Sequence, residues 1–260
     1  MMETILKPST KFLFVWLFTS ALMTTFARAQ SAGSFMVTAG AAWINFPWSH
    51  SQEIRSSSAF GTFDSAGTDA QVHNTFAVHL PLTYFITDHI AAEAVLGIPP
   101  TLHLAAQGNM APFGSGGPAL PLGTLQPVAS ARVWAPMLLA KYYFGSPESV
   151  IRPYVGAGIN YTWFTNVDLH PTLAGALGQV AGPGGSVHAS LSSSWNPVVT
   201  LGATYNFAKQ WSLTGSVTYL PVKTTASFNS VAQNGSVVLE NKTRITADPI
   251  AFFIGVGHRF

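Results

Sequence analysis

The segment that most constrains the fold is residues 248–260, in which apolar side chains occupy every second position. Successive side chains of a β-strand point to opposite faces, so this strand has one apolar face and one face of mostly small residues. A final strand of this kind that ends in an aromatic residue is typical of bacterial outer-membrane barrels. We therefore expect Phe260 to be the insertion signal that the barrel-assembly machinery recognises. The apolar row is Ile250, Phe252, Ile254, Val256, His258 and Phe260, and the other row is Ala251, Phe253, Gly255, Gly257 and Arg259.

The rest of the chain is apolar but contains no long apolar run beyond residue 29. Hydrophobic residues make up 48% of the chain and charged residues 8%, whereas charged residues are about 25% of typical soluble domains. Gly, Ser, Thr or Pro interrupts each run before it reaches the roughly 20 residues that a membrane helix needs. Only helices and closed sheets satisfy every backbone group in lipid, so this composition favours a transmembrane β-barrel.

The first 29 residues have the pattern of a secretory signal peptide. Lys7 and Lys11 precede an apolar run over 12–26, and residues 27–29 form an A-x-A cleavage site. We expect cleavage after Ala29 and a mature barrel domain of residues 30–260. Of the 12 basic and 10 acidic residues, the leader holds three and one, which leaves nine of each and no net charge. We therefore expect no nucleic-acid partner.

Eight segments alternate between apolar and polar residues and are expected to be strands. Three short turns and four long connections rich in Ser, Gly and Pro separate them, as in bacterial barrels with short periplasmic turns and long outer loops. The predicted strands are 35–46, 75–87, 90–98, 130–144, 152–164, 194–207, 211–222 and 243–260. The predicted loops are 47–72, 99–127, 165–193 and 223–242, and the second contains the stretch 114–118, which predicts irregular structure.

The same alternation would suit a soluble eight-stranded barrel or sandwich with its apolar rows turned inward. Aromatic residues beside the short turns favour the membrane alternative, because they would form the periplasmic girdle. This expected girdle consists of Phe85, Tyr142, Tyr143, Phe144, Phe207, Trp211 and Phe260. We predict an all-β fold, an eight-stranded antiparallel transmembrane β-barrel surrounded by the lipid of the outer membrane of a Gram-negative bacterium.

Several segments resemble the outer-membrane protein W (OmpW) family, in order along nearly the whole chain after residue 30. The resemblance implies an eight-stranded barrel with a narrow, largely apolar lumen that passes small hydrophobic molecules. His258 departs from the Tyr that the family's closing strand usually carries, and the loops 47–72 and 99–127 are longer than is usual. The segments are TDHIAAE at 87–93 with the prolines at 99–100, AP at 135–136 leading to YYFG at 142–145, RPYVGAGINY at 152–161, SWNP at 194–197, WSL at 211–213, DP at 248–249 and GVGHRF at 255–260.

The residues that face inward decide whether the lumen is open, because an eight-stranded barrel is only just wide enough for side chains to fill. Small inward residues either make room for a passage or ease strand bending. The larger Leu139, Tyr154 and Phe253 would narrow or gate the lumen. The predicted lining residues are Leu139, Tyr154, Gly156, Gly158, Asn160, Thr200, Gly202, Phe253 and Gly255.

Charged residues of the predicted lumen lie near the short turns. Glu93 and Lys141 belong to the inward register of neighbouring strands at similar depth, within reach of a direct ion pair that Arg259 would join. Such a pair would close the lower lumen to apolar solutes. Two separately hydrated charges are the alternative.

No motif predicts an enzyme, a metal site or a cofactor. The histidines lack the spacing of a metal site. Ser186 and His188 lack a nearby carboxylate to orient the imidazole, so a catalytic triad is incomplete. Gly156 and Gly158 lie within a strand that no helix follows, unlike a nucleotide-binding loop.

Two functions therefore remain open from the sequence. One is a porin-like channel for small hydrophobic solutes, which would enter from the outer loops and leave sideways into the lipid. The other is a structural or adhesive receptor barrel with a plugged lumen and surface-exposed binding loops.

Overall fold

The computed structural model describes residues 30–260, so the predicted signal peptide and its cleavage site lie outside the described residues. This part of the chain is almost entirely strand, with one α-helix, α1 (Pro171–Ala181), and a 3-10 turn (Leu122–Thr124). Neither helical segment of residues 30–260 is long and apolar enough to cross a membrane.

Eight strands close into an antiparallel barrel, which confirms the predicted fold. Each strand pairs with the next barrel strand along the chain, and the first pairs with the last, from Met36 opposite Arg259 to Asn45 opposite Ile250. The barrel strands are β1 (Phe35–Asn45), β6 (Thr75–Phe85), β7 (Ile90–Ile98), β12 (Met137–Tyr143), β13 (Ile151–Leu169), β15 (Ser194–Asn206), β16 (Trp211–Tyr219) and β19 (Ile250–Arg259).

The barrel is apolar outside and mixed inside. Leu201 on β15 is 61% exposed whereas its neighbour Thr200 is 7% exposed, and the other barrel strands alternate in the same way. A soluble barrel would reverse this order. Two members of the expected girdle are placed differently: Phe85 and Tyr143 have no exposed surface. Both belong to the inward register of their strands, so they fill the periplasmic end of the lumen, and their assignment to the girdle was wrong.

The four long connections are mostly ordered, so their prediction as loops was wrong. Backbone pairing between different connections converts Ser- and Thr-rich segments into strands, which local sequence does not reveal. Residues 111–119 keep the irregular structure expected of a Gly- and Pro-rich stretch. The additional strands are β2 (His50–Ser51), β3 (Ile54–Ser58), β4 (Gly61–Ser65), β5 (Asp69–Val72), β8 (Thr101–Gln107), β9 (Asn109–Met110), β10 (Leu120–Pro121), β11 (Ala129–Trp134), β14 (Ser186–Leu191), β17 (Lys223–Val231) and β18 (Val237–Thr246).

These strands extend the barrel into two sheets at the end opposite the short periplasmic turns. This end is called the upper end below, and the periplasmic end is called the lower end. One sheet runs β5-β8-β11 onto the upper part of β13, and the other runs β14-β17-β18-β3-β4. Apolar side chains from both sheets, from α1 and from the upper barrel form one continuous core. Its members include Leu104 of β8, Leu173 of α1, Leu239 of β18 and Val198 of β15. The region above the barrel therefore has an apolar interior of its own.

Candidate functional site

A buried ion pair crosses the lower lumen. Lys141 Nζ lies 2.6 Å from Glu93 Oε2, and the two side chains are 4% and 5% exposed. Thr83 Oγ1 donates a 2.7 Å hydrogen bond to the same carboxylate oxygen, and the Lys141 ammonium lies 4.2 Å from the centroid of the Tyr154 ring. Buried charges are tolerated when they are paired and hydrogen-bonded in this way. The structure brings Glu93 and Lys141 into direct contact, and they are not two separately hydrated charges.

Arg259, the third residue expected at this pair, lies elsewhere. Its guanidinium donates to the backbone oxygen of Lys209 in the turn before β16. Within residues 30–260 it forms no salt bridge, and its proposed place beside Glu93 was wrong. Its position at the last residue of β19 puts it at the periplasmic rim, beyond the depth of the pair.

Beneath the ion pair, aromatic rings and an arginine form the floor of the lumen. The ring centroids of Tyr143 lie 5.0 Å from Phe85 and 4.9 Å from Tyr154. The Arg152 guanidinium stacks 5.2 Å from the Tyr143 ring and donates a 2.8 Å hydrogen bond to the backbone oxygen of Gln30. Arg152 was not predicted from the sequence as a lumen residue, although it shares the inward register of β13 with Tyr154.

The inward glycines give space to larger neighbours. A Cβ added at Gly202 would lie 2.4 Å from the backbone oxygen of Gly215 and 2.6 Å from the Tyr154 hydroxyl, and one at Gly255 would lie 2.5 Å from Cζ of Phe253. Aromatic side chains and closely approaching backbone therefore occupy the space beside these glycines.

The other two predicted lumen glycines are equally enclosed. A Cβ at Gly156 would lie 2.9 Å from Cγ of Lys141, and one at Gly158 would collide with the backbone of Leu138 on β12. Gly156, which faces Lys141 across the β12–β13 ladder, thus leaves room for the lysine stem.

The remaining predicted lining residues are buried and have partners. Asn160 accepts from Asn196 Nδ2 at 3.2 Å and donates to the backbone oxygen of Pro136 at 2.9 Å. Thr200 Oγ1 donates to the backbone oxygen of Val217 at 3.3 Å. Leu139 and Phe253 are buried hydrophobic residues of the barrel interior. These residues stabilise a filled lower lumen.

Above this filled section lies an apolar cavity of about 110 Å³. A second apolar cavity of about 70 Å³ continues between the two outer sheets. Leu104 and Ile245 line both cavities, so the two are adjacent. Other lining residues of the lower of the two are Ile44, Phe46, Leu102, Val133 and Leu220. Such a surface suits small hydrocarbon molecules.

The barrel wall is open beside this cavity. The β7–β12 ladder ends where Val95 faces Met137, and the β8–β11 ladder begins only where Thr101 faces Arg132. Between these points, the prolines at 99, 100 and 136 have no N–H to donate to a ladder. One hydrogen bond, from the Val133 amide to the Pro100 oxygen at 3.0 Å, bridges the gap.

A recess of about 370 Å³ occupies this gap. Val133 and Ala135 line both the recess and the apolar cavity, so the two adjoin through the wall. The rings of Trp134 and Trp163 stack at its edge, with centroids 5.7 Å apart and planes inclined by 5°. Ile98, which also lines the recess, is 66% exposed on the lipid-facing side. The upper cavity therefore adjoins a recess that reaches the lipid-facing surface.

The model of the OmpW family matches residues 31–260. The chain belongs to the OmpW family. Outer membrane protein W of Vibrio cholerae is 29% identical over 241 residues, which are 93% of this chain and 95% of that protein. The crystal structure of OprG from Pseudomonas aeruginosa has a TM-score of 0.69 and 26% sequence identity, and the match covers 91% of this chain and 99% of that chain. The dibenzothiophene metabolism operon protein PahQ of Pseudomonas aeruginosa is 26% identical over 199 residues, covering 75% of this chain and 76% of that protein.

Membership of the OmpW family confirms the predicted location, because its relatives are outer-membrane proteins with the same barrel. On the outer part of this OmpW-family barrel, Ser186 Oγ lies 3.0 Å from His188 Nε2 on β14. The hydrogen bonds described for His188 reach no carboxylate. Within residues 30–260, no three His, Cys, Asp or Glu side chains are grouped to hold a metal ion.

Proposed function

We propose that this OmpW-family barrel is a channel that carries small hydrophobic molecules from the cell surface into the outer membrane, and that it is not an enzyme. The observation that supports the proposal best is the adjacency of the apolar upper cavity and the wall recess, which meet at Val133 and Ala135. A solute in the cavity has an apolar way out to the lipid at this point.

Straight passage to the periplasm is unfavourable for such a solute. The lower lumen contains the Glu93–Lys141 pair, and below it the Arg152 guanidinium lies among aromatic rings. Separating this buried pair would leave both charges uncompensated in the lumen, which is strongly unfavourable. The side exit requires no such step, so it is the favoured direction for an apolar molecule.

A plugged structural or adhesive barrel would share the filled lower lumen. Such a barrel does not require an apolar cavity that adjoins a gap in the barrel wall. The name of PahQ, which links that relative to dibenzothiophene metabolism, also supports apolar aromatic solutes for this chain. We further propose that the chain reaches its location by cleavage after Ala29 and through recognition of Phe260 by the assembly machinery.

Uptake by reconstituted vesicles tests the channel. The vesicles carry lipopolysaccharide in the outer leaflet, which slows the spontaneous entry of naphthalene, and glucose serves as the polar solute. The barrel should accelerate entry of naphthalene but not of glucose. Ala135→Trp fills the junction of cavity and recess and should reduce naphthalene entry to the level of empty vesicles. Ala140→Trp, on the lipid-facing side of β12, is the matched control and should behave as the wild type. Equal naphthalene entry with both variants would contradict lateral exit.

A further inference from the structure

His79 lies where the spaces inside the barrel meet. Its side chain faces inward from β6 and lines the upper apolar cavity, the small cavity beside the ion pair and the wall recess. Among the described residues, it alone lines all three. The imidazole therefore lies at the junction of the upper cavity and the recess, together with Val133 and Ala135.

The neighbouring strands have no side chain beside the imidazole in the ladder. At the level of His79, the inward positions on the adjacent strands are Gly97 on one side and Gly40 on the other, and Gly40 is paired in turn with Gly255. A Cβ at Gly97 would lie 3.0 Å from Cδ2 of His79. The ring is therefore the one inward side chain in a row of four strands. It stacks on Phe253, with centroids 6.2 Å apart and planes inclined by 20°.

The imidazole is also a polar group of the upper cavity that has no hydrogen-bond partner among the described residues. The three threonine hydroxyls that line this cavity donate within the protein, to Asn160, Thr200 and Ser192. No hydrogen bond described for residues 30–260 uses a ring nitrogen of His79. A neutral imidazole offers one donor and one acceptor. Pockets for small ligands are typically apolar surfaces with a few such groups that fix the ligand's orientation.

We infer that His79 hydrogen-bonds the polar group of a carried molecule, and that the channel selects small aromatic molecules with one hydroxyl or similar group over the matching hydrocarbons. The inference rests on the proposed function. The ring of Phe253 and the apolar wall hold the hydrocarbon part, while the imidazole binds the hydroxyl whether it donates or accepts.

Binding of two matched solutes tests this selection. 2-Phenylethanol and propylbenzene have nearly the same shape and differ by a hydroxyl in place of a methyl group. Their binding is measured as partition into lipid nanodiscs that hold the barrel, relative to empty nanodiscs. His79→Phe keeps the ring and removes both nitrogens. It should weaken 2-phenylethanol binding about 3- to 10-fold, the effect of one net hydrogen bond, and change propylbenzene binding less than twofold.

Two further variants separate the hydrogen bond from general effects on the cavity. His79→Gln retains a donor and an acceptor and should restore most of the preference. Thr218→Val removes a hydroxyl that lines the same cavity but donates to Thr200 at 2.9 Å, and it should leave the preference unchanged. The wild type provides a readout that needs no substitution: 2-phenylethanol should shift the imidazole ¹⁵N resonances of His79, and propylbenzene should not.

The outcomes distinguish this inference from the channel itself. If His79→Phe weakens the binding of both solutes equally, or if both solutes shift the ¹⁵N resonances equally, the role of His79 is overturned. A channel for hydrocarbons would remain possible in either case. Absence of saturable binding of either solute to the wild type would overturn both.

Discussion

The carboxylate of Glu93 and the ammonium of Lys141 lie 2.6 Å apart, in a lumen that leaves each side chain about one-twentieth exposed. The two residues are not directly opposed in the ladder, because Glu93 faces Leu139 and Lys141 faces Ala91. The contact is therefore diagonal, and the lysine stem packs on its other side against Gly156 of β13, where a side chain would crowd it.

Breaking this pair from one side should cost more stability than removing both charges. Lys141→Met leaves a buried carboxylate without its partner and should lower the free energy of unfolding by about 3–5 kcal/mol. The double variant Glu93→Gln, Lys141→Met should recover at least half of that loss. Urea unfolding in lipid bilayers, followed by tryptophan fluorescence, measures both. A double variant that is less stable than the single one would contradict a net cost of the unpaired charge.

The same double variant should raise the conductance of the barrel for small ions in planar bilayers. The fixed pair and its contact with Tyr154 are replaced by two flexible neutral side chains, so the constriction loses its rigid centre. Single-channel recording beside the wild type provides the comparison. Unchanged conductance would show that the pair is not the barrier.

Substitution of Gly202 should destabilise the barrel by overpacking. The Cβ of Gly202→Ala would lie 2.4 Å from the backbone oxygen of Gly215 and 2.6 Å from the Tyr154 hydroxyl, and overpacking of this kind costs about 1–3 kcal/mol. Gly215 is paired with Ala203 on the lipid-facing side, and a Cβ there meets its nearest atom at 4.0 Å. Gly215→Ala is therefore the control and should change the unfolding free energy by less than about 0.5 kcal/mol. Equal losses of stability would exclude overpacking at Gly202 as the cause.

Deletion of Phe260 should reduce assembly more than stability. The ring is half-exposed and meets His258 edge-on at 4.6 Å, and such an aromatic contact contributes about 0.5–1.5 kcal/mol. The deleted protein should therefore refold in detergent with nearly wild-type stability, while its amount in the outer membrane of cells falls several-fold. Phe207→Ala removes another ring that is exposed to a similar extent beside a short turn, and it should insert normally. Wild-type membrane levels after the deletion would refute the role as a signal.

The sequence predicted the membrane barrel well because lipid outside the wall imposes a strict alternation. The bounds of β7 at Ile90 and Ile98 were predicted correctly, and the faces of β13 and β15 are those expected. The alternation also placed Glu93 and Lys141 on the inner face. The short-range pattern of the sequence is sufficient to predict these features, because every barrel strand turns one face towards the same apolar lipid.

Features that depend on distant partners escaped prediction. The strands within the long connections exist because β18 pairs with both β17 and β3, which are far apart in the chain. The space beside Gly202 is filled from another strand by Tyr154. His79 shares the inward register of β6 with Thr83, which is the signal that could have identified it. Its place at the junction of three cavities depends on the glycines of neighbouring strands.

The length of β13 has a consequence for where solutes are captured. Its 19 residues span about 60 Å along the strand, or about 45 Å of height at the usual tilt, against an apolar band of about 25 Å. About 20 Å of β13 therefore rises above the hydrocarbon, in the sheet that it forms with β11, β8 and β5. Under the proposed function, an apolar molecule that arrives from water meets the apolar core of this region before it reaches the depth of the bilayer. Its first transfer out of water is then into protein and not into lipid.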